Sequence, residues 1–339
     1  MNKATIAVVV PAYNEAQVIG RSLASLRRCI DMRHVYVVSD GSTDKTASIA
    51  RQHTDNVLNL RKNRGKAGAL QALIKKYSLT ERYRYVFFFD ADTEIGRNFL
   101  PEIKKVIKAQ RPACAVGTVT STRNKLISAF RVFEYGFSHM FFKNAQNAMN
   151  TIVIAPGCAA VYRSDVLAKL NFHGGTLTED LDFTIQIQHQ KYGRVLYCPR
   201  ARVFTQDPMS FGDFWNQITR WNTGFWQNFF MHRLYRPNRT LHLEVLLLLS
   251  DFILWIALLA FAVLQPLYFL ALYGVSLAIL TILATAVILW ERQYWALPYV
   301  PLFNFFQIIN TASFVYSLFR AVFGRKGRLS WQKVARYAN

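Results

Sequence analysis

From Phe252 to Trp290 the chain carries no charged residue. A helix that crosses a bilayer needs about 20 apolar residues in succession, and uncharged runs of only about 10–14 are what buried core helices show. Extended back to about Val245, the run has room for two spans with a break at Gln265-Pro266. A third apolar stretch, Leu297 to about Phe323, is interrupted by Pro298, Pro301, Asn304, Gln307 and Asn310 and holds a late Arg320. It reads as re-entrant or interfacial.

The same chain has 41 Lys+Arg against 20 Asp+Glu, a net charge of +21, and is 52% hydrophobic. That pairing excludes a disordered basic tail, which would be poor in apolar residues. The charge sits mainly before the apolar runs: residues 1–240 hold 34 of the basic and 17 of the acidic residues. A basic balance calls for an anionic partner, either nucleic acid, an acidic membrane surface or a phosphorylated substrate. The basic residues are spread rather than drawn into one stripe, and no nucleic-acid recognition module is evident. Four cysteines and seven histidines show no metal-ligand spacing. The apolar start, Ile6–Val10, meets Pro11 too early for a secretory signal, so the polar half is expected in the cytoplasm.

Residues 5–90 alternate strand and helix signals. Ile6–Val10, Val35–Ser39, Val57–Leu60 and Tyr85–Phe89 are short apolar runs of the kind buried on both faces of a sheet. Between them, Ile19, Leu23, Leu26 and Ile30 recur at helical spacing behind Asn14, read as an N-cap. Ala47, Ile49 and Ala50, then Leu70, Leu73 and Ile74, mark two further helices. Strands joined by helices imply a parallel sheet with ligands at the carboxyl ends of the strands.

Polar residues stand at those ends. Strand one runs into Pro11-Ala12-Tyr13-Asn14-Glu15, strand two into Asp40, and strand four into Asp90-Ala91-Asp92. Two carboxylates one residue apart can hold a hard divalent cation whose shell is completed by water and phosphate oxygens; alone, the pair is also what a solvated turn shows. Asn63-Arg64-Gly65-Lys66 opens a helix with cations, suited to an anion or equally to a plain cap. Glu179 and Asp180 supply adjacent carboxylates at another helix start, either a general base or a favourable cap. Gln217, Arg220 and Trp221 share one helix face that joins an amide, a guanidinium and an indole, fit for pyrophosphate and a sugar ring. The aromatic residues around them, Phe211, Phe214, Trp215, Phe225, Trp226, Phe229 and Phe230, read as an interfacial helix lying on the bilayer.

Taken in order, Val9–Glu15, Asp40-Gly41-Ser42-Thr43-Asp44, Gly65–Leu70, Asp90/Asp92, Thr178-Glu179-Asp180 and QxxRW at Gln217–Trp221 resemble family 2 glycosyltransferases of the GT-A fold. The resemblance is to the membrane-embedded processive branch that makes cellulose, chitin, hyaluronan and poly-N-acetylglucosamine. It implies an α/β fold, a Rossmann-like, mainly parallel sheet flanked by helices and followed by interfacial and transmembrane helices. It also implies a UDP-sugar donor, Mg²⁺ or Mn²⁺, and a carbohydrate acceptor. Pro11, Tyr13, Glu15, Asp40 and Lys66 would border the nucleotide, Asp90 the ribose or sugar, and Asp92 the metal. Asp180 would be the general base. Glu179, Gln217, Arg220, Trp221, Gly157 and Cys158 would meet the diphosphate or the acceptor, the match at Pro156-Gly157-Cys158 being loose.

The expected organisation is a cytoplasmic catalytic domain over 1–208, an interfacial region over 209–240, membrane helices over 241–323 and a basic cytoplasmic tail over 324–339. This places the chain in the inner membrane as a multi-pass protein. Arg123, Lys125, Arg131, Arg233, Arg236, Arg239 and the tail are read as contacts to anionic lipid. So few helices cannot enclose a sugar tunnel, since polar lining must be shielded from lipid by protein. An exported polymer would then pass through a homo-oligomer or a partner membrane subunit. The alternative is a short or lipid-linked product, formed by non-processive transfer to a polyprenyl phosphate.

Overall fold

The computed structural model describes residues 4–122, 125–172, 174–236 and 242–323. Arg123, Arg239 and the basic tail lie outside the described residues. The chain packs into two compact units, residues 4–120 with 146–206 and residues 121–145 with 207–323.

The first unit is built on one sheet. Its strands are β1 (Ala4–Ala12), β2 (Val35–Asp40), β3 (Val57–Leu60), β4 (Tyr83–Phe88), β5 (Thr93–Ile95), β6 (Cys114–Ser121), β7 (Ala160–Arg163) and β8 (Val195–Thr205), in the order β3-β2-β1-β4-β7-β6-β8-β5. Ala7 to Val10 are wholly buried, which is why the central strand shows no polar alternation. β1 pairs in parallel with β2 (Val10 opposite Val37) and with β4 (Val8 opposite Phe87), and β2 pairs in parallel with β3. These parallel pairings put the carboxyl ends of β1, β2 and β4 on one side, as the strand–helix alternation predicts.

Beyond β4 the sheet is mixed rather than mainly parallel. β4 pairs antiparallel with β7, β7 with β6, and β5 with β8. The helices are α1 (Ile19–Arg27), α2 (Thr46–Arg51), α3 (Gly65–Lys76), α4 (Leu79–Arg82) and α5 (Phe99–Gln110), with α6 (Leu126–Phe137) and α7 (Asn144–Met149) next in the chain and then α8 (Ser164–Leu167) and α9 (Glu179–His189).

Asn14 is not the N-cap of α1, which begins at Ile19 after Val18. It adopts a left-handed backbone (φ 54°), a conformation asparagine tolerates, and its side chain is engaged elsewhere. Its Oδ1 accepts from the Thr43 N–H at 2.8 Å, while its own N–H donates to Ser42 Oγ at 3.0 Å. Glu15 N–H donates to Thr46 Oγ1 at 2.7 Å and Ala16 N–H to Asp44 Oδ2 at 3.1 Å. Four bonds thus lace the loop after β1 to the loop after β2, fixing two strand ends that carry candidate site residues.

The second unit comprises α6, α10 (Phe211–Met231), α11 (His242–Leu264), α12 (Pro266–Trp290), a 3₁₀ stretch at Tyr294–Leu302 and α13 (Phe303–Phe323). The Ser210 side chain caps α10 by accepting from the Asp213 N–H at 3.1 Å. Proline at the first position of α12 makes the break at Gln265-Pro266 that the sequence predicts. Among the described residues two helices, Pro266–Trp290 and Tyr294–Phe323, are long and apolar enough to cross a membrane. Pro298 and Pro301 are taken up in the tighter 3₁₀ stretch. The amides beyond have partners inside the unit: Asn304 bonds Tyr273, and Asn310 Nδ2 donates to Glu134 Oε1 at 3.0 Å.

Two readings of surface residues change here. The aromatic residues of α10 are not a single bilayer-facing set, for Phe214, Phe225 and Trp226 are buried while Phe211 and Phe230 are exposed. Trp226 Nε1 donates to the Phe314 carbonyl of α13 at 3.1 Å, and Phe214 lies edge-on to Phe306. Arg131 is likewise no lipid contact: it is 1% exposed, because carboxylate, amide and ring partners enclose it.

Candidate active site

The parallel half of the sheet delivers its polar strand ends to the first unit's site. Pro11 closes β1 opposite Val38 of β2, and Tyr13 is half-buried just beyond. The buried Glu15 lends its carbonyl to the Val18 and Ile19 N–H groups at 3.1 and 2.9 Å, so it starts α1. Asp40, 4% exposed at the end of β2, accepts the Arg64 N–H at 2.8 Å, so its carboxylate sits at the start of α3. Burial raises the Asp40 carboxyl above its ordinary range, and the Arg64 and Gly65 N–H groups pull it back. Gly41 follows with φ 71°, and a Cβ there would lie 2.6 Å from the Asn63 nitrogen, so only glycine lets the two loops approach.

Lys66, one residue into α3, is the hub. Its Nζ lies 2.8 Å from Asp90 Oδ1 and 2.9 Å from Glu179 Oε1. Burial opposes its charge, but Asp90, Glu179 and Asp180 together hold the ammonium well above its ordinary pKa. Asp180 follows Glu179 in the first turn of α9, where its Oδ1 accepts from the Leu181 N–H at 2.9 Å and its Oδ2 from the Gly157 N–H at 3.2 Å. Burial first, then the like charge of Glu179, pushes the Asp180 carboxyl up to about 6 against the lowering pull of Lys66. Gly157 has a steric reason: a Cβ there would stand 2.8 Å from Lys66 Nζ. The Cys158 thiol is 8% exposed, and burial together with Asp90, Asp92 and Asp180 pushes it well above its ordinary pKa against the pull of Lys66. Asp92 is half-buried beside Thr93, whose hydroxyl donates to its Oδ1 at 3.3 Å.

Lys66, Asp90, Asp92, Gly157, Cys158, Glu179 and Asp180 therefore form one electrostatic neighbourhood. The Gln217, Arg220 and Trp221 segment belongs to the second unit, on α10. There Gln217 and Trp221 converge on Arg131, whose Nη2 donates to Gln217 Oε1 at 2.7 Å and whose guanidinium carbon lies 4.6 Å from the Trp221 ring centroid.

Residues 7–170 match the sequence profile of Glycosyl transferase family 2. Residues 7–170 are a glycosyl transferase family 2 domain. It is 31% identical over 232 residues to an uncharacterized glycosyltransferase, YaiP, of Escherichia coli K12, a match covering 66% of this chain and 57% of that one. It is 27% identical over 234 residues to a poly-beta-1,6-N-acetyl-D-glucosamine synthase of Staphylococcus epidermidis, covering 65% of this chain and 54% of that one. The chain thus spans a little over half the length of those relatives. In fold it is similar to a mannosyltransferase, PcManGT, of Pyrobaculum calidifontis, solved with GDP-Man and Mn²⁺. The TM-score is 0.58 at 19% identity, over 96% of this chain and 89% of the other.

Two features of the chain are not visible in its sequence. Gly157, which the resemblance places at the diphosphate or the acceptor, makes room for Lys66 by its smallness and holds Asp180 through its N–H. Arg131 was read as surface charge, and its only sequence signal is its place inside the apolar helical run Leu126–Phe137.

Proposed function

We propose that this chain transfers a sugar from a UDP-sugar to a carbohydrate acceptor by single displacement with inversion, at the cytoplasmic face of a membrane. The observation that carries the reading is Asp180. It is a carboxylate raised toward neutrality by burial and by Glu179, held by two backbone N–H groups beside a lysine and further acids. Direct displacement needs one base for the acceptor hydroxyl and one stabiliser for the leaving diphosphate. A carboxyl near 6 is ionised at neutral pH and still basic enough to take that proton.

Asp90 and Asp92 offer hard oxygen donors close to Glu179 and Asp180. Such a cluster of carboxylates fits a divalent cation, with Asp92 as its protein ligand. No group of three or more His, Cys, Asp or Glu side chains among the described residues is placed to cage one, so water and diphosphate oxygens would complete the shell. Held by Asp92, Mg²⁺ or Mn²⁺ would supply positive charge to offset that of the departing diphosphate. Lys66 pairs with Asp90 and Glu179 and so keeps a cation at the nucleotide's phosphates. Gln217, Arg220 and Trp221 are assigned to the diphosphate and to the acceptor sugar, Arg220 by charge and Trp221 by stacking.

The likeness to a poly-beta-1,6-N-acetyl-D-glucosamine synthase favours UDP-N-acetylglucosamine as donor and a polysaccharide as product, with UDP-glucose next. The two long apolar helices support a multi-pass anchor in the inner membrane. The test is to incubate membranes holding the full chain with labelled nucleotide sugars and to size the product. Polymer from one UDP-sugar, lost on chelation of divalent cations, is the expected result. A single sugar on a lipid would replace polymerisation by lipid-linked transfer, and no incorporation from any donor would overturn the reading.

A further inference from the structure

Arg131 has 2% of its side chain exposed, and a guanidinium so deep must satisfy its charge locally. Nη1 donates to Glu134, one turn further along α6. Nη2 donates to Gln217 Oε1 of α10 at 2.7 Å. The central carbon of the guanidinium lies over two rings, 4.7 Å from the Phe214 centroid and 4.6 Å from the Trp221 centroid. Glu134 is in turn held by Asn310 of α13 at 3.0 Å. One rigid side chain therefore touches two of the three residues of the QxxRW segment, and α6 and α13 hold it in place.

That contact has chemical content. Committing Oε1 of Gln217 to Arg131 orients the amide so that its NH₂ end is the one available to an anionic or hydroxyl group. Stacking against the guanidinium holds one face of the Trp221 indole in a fixed plane. A lysine could supply the charge but not the fork and the flat face together.

We propose that Arg131 is a positioning residue for sugar transfer, setting the rotamers through which Gln217 and Trp221 meet the diphosphate and the acceptor. It rests on the assignment of the QxxRW segment made above.

The test uses the full chain in detergent and follows UDP release with the donor that the nucleotide-sugar panel identifies, alongside thermal melts. Arg131→Lys is expected to lower kcat by about 30–100-fold, the scale of a small misplacement, with donor KM within about threefold. Gln217→Ala and Trp221→Ala should also lose activity. The Arg131→Lys/Gln217→Ala double variant should be no worse than its weaker parent by more than about threefold, because both changes remove one shared arrangement. Losses that multiply in the double variant, or an Arg131→Lys enzyme with wild-type kcat beside an inactive Trp221→Ala enzyme, would overturn the positioning role and leave the motif assignment standing. A fully active Trp221→Ala enzyme, or a chain that turns over no donor, removes both. Should Arg131→Lys fail to fold, Glu134→Gln keeps the shape while weakening the anchor of the fork; a melt like wild type with kcat lowered about three- to tenfold is expected, and unchanged kcat sinks the proposal.

Discussion

Lys66 and Arg131 both meet acidic partners at hydrogen-bond distance, yet 33% of the Lys66 side chain is exposed and 2% of the Arg131 side chain. Lys66 ends in a point charge on a flexible stem, set between Asp90 and Glu179. Arg131 is a planar fork closed in by Glu134, Gln217 and two aromatic rings. A cation that solvent can reach exchanges partners at little cost, whereas one without solvent is part of the framework. Lys66 is thus a cation with solvent access in the first unit, and Arg131 is part of the framework of the second.

The sharpest break between them is chemical. Asp180→Asn keeps a carbonyl oxygen for the Gly157 or Leu181 N–H but cannot take a proton, so transfer should fall by about 10³-fold or more. Nucleotide-sugar binding, measured by calorimetry, should stay within a few-fold. Near-wild-type turnover would remove Asp180 as the base.

Stability comes next. Arg131→Met strands buried acceptors and should cost about 3–5 kcal/mol. Lys66→Met breaks half-buried ion pairs and should cost less, about 1–2 kcal/mol. Melting of the two variants in the same detergent checks the contrast, and equal losses would dissolve it.

Gly157→Ala tests whether Lys66 is as mobile as its exposure implies. The new methyl displaces only the far end of a flexible side chain, so the fold should hold. Donor KM should rise by about tenfold, the equivalent of one hydrogen-bonded charge. An unchanged KM would separate Lys66 from donor binding.

The smallest effect is in the pH profile. Burial and Glu179 raise Asp180 to about 6, so the carboxyl is protonated below that pH and cannot accept the acceptor's proton. kcat/KM should fall about tenfold per unit on the acid side. Glu179→Gln removes the like charge and should move that limb down by about half a unit. An upward move would mean that Glu179 is not what holds the carboxyl up.

Much of this was legible before any coordinates. The alternation of Ile6–Val10, Val35–Ser39 and Tyr85–Phe89 with helical periods predicts β1, β2 and β4 in parallel, and Asp40, Asp90 and Asp92 fall at strand ends as that topology requires. The antiparallel pairing of β7 with β4 and β6 was not legible, since a short strand such as Ala160–Arg163 has no periodicity that states its direction. Asn14 misled because the residue that caps helices also tolerates a left-handed backbone, and four loop bonds decided between them. Arg131 misled because a single arginine in an apolar helical run looks the same whether its partner is lipid phosphate or a glutamine far along the chain.

What the sequence by itself determined is therefore local: apolar runs long enough to cross a membrane, strands buried on both faces, and acids at their ends. These depend on composition within a few residues of one another. Tertiary structure alone decided which charge each ionisable group faces. Lys66 between Asp90 and Glu179, Asp180 against Gly157, and Arg131 against Gln217, 86 positions away, are pairings whose energies depend on distance and burial. A one-dimensional order of residues carries neither.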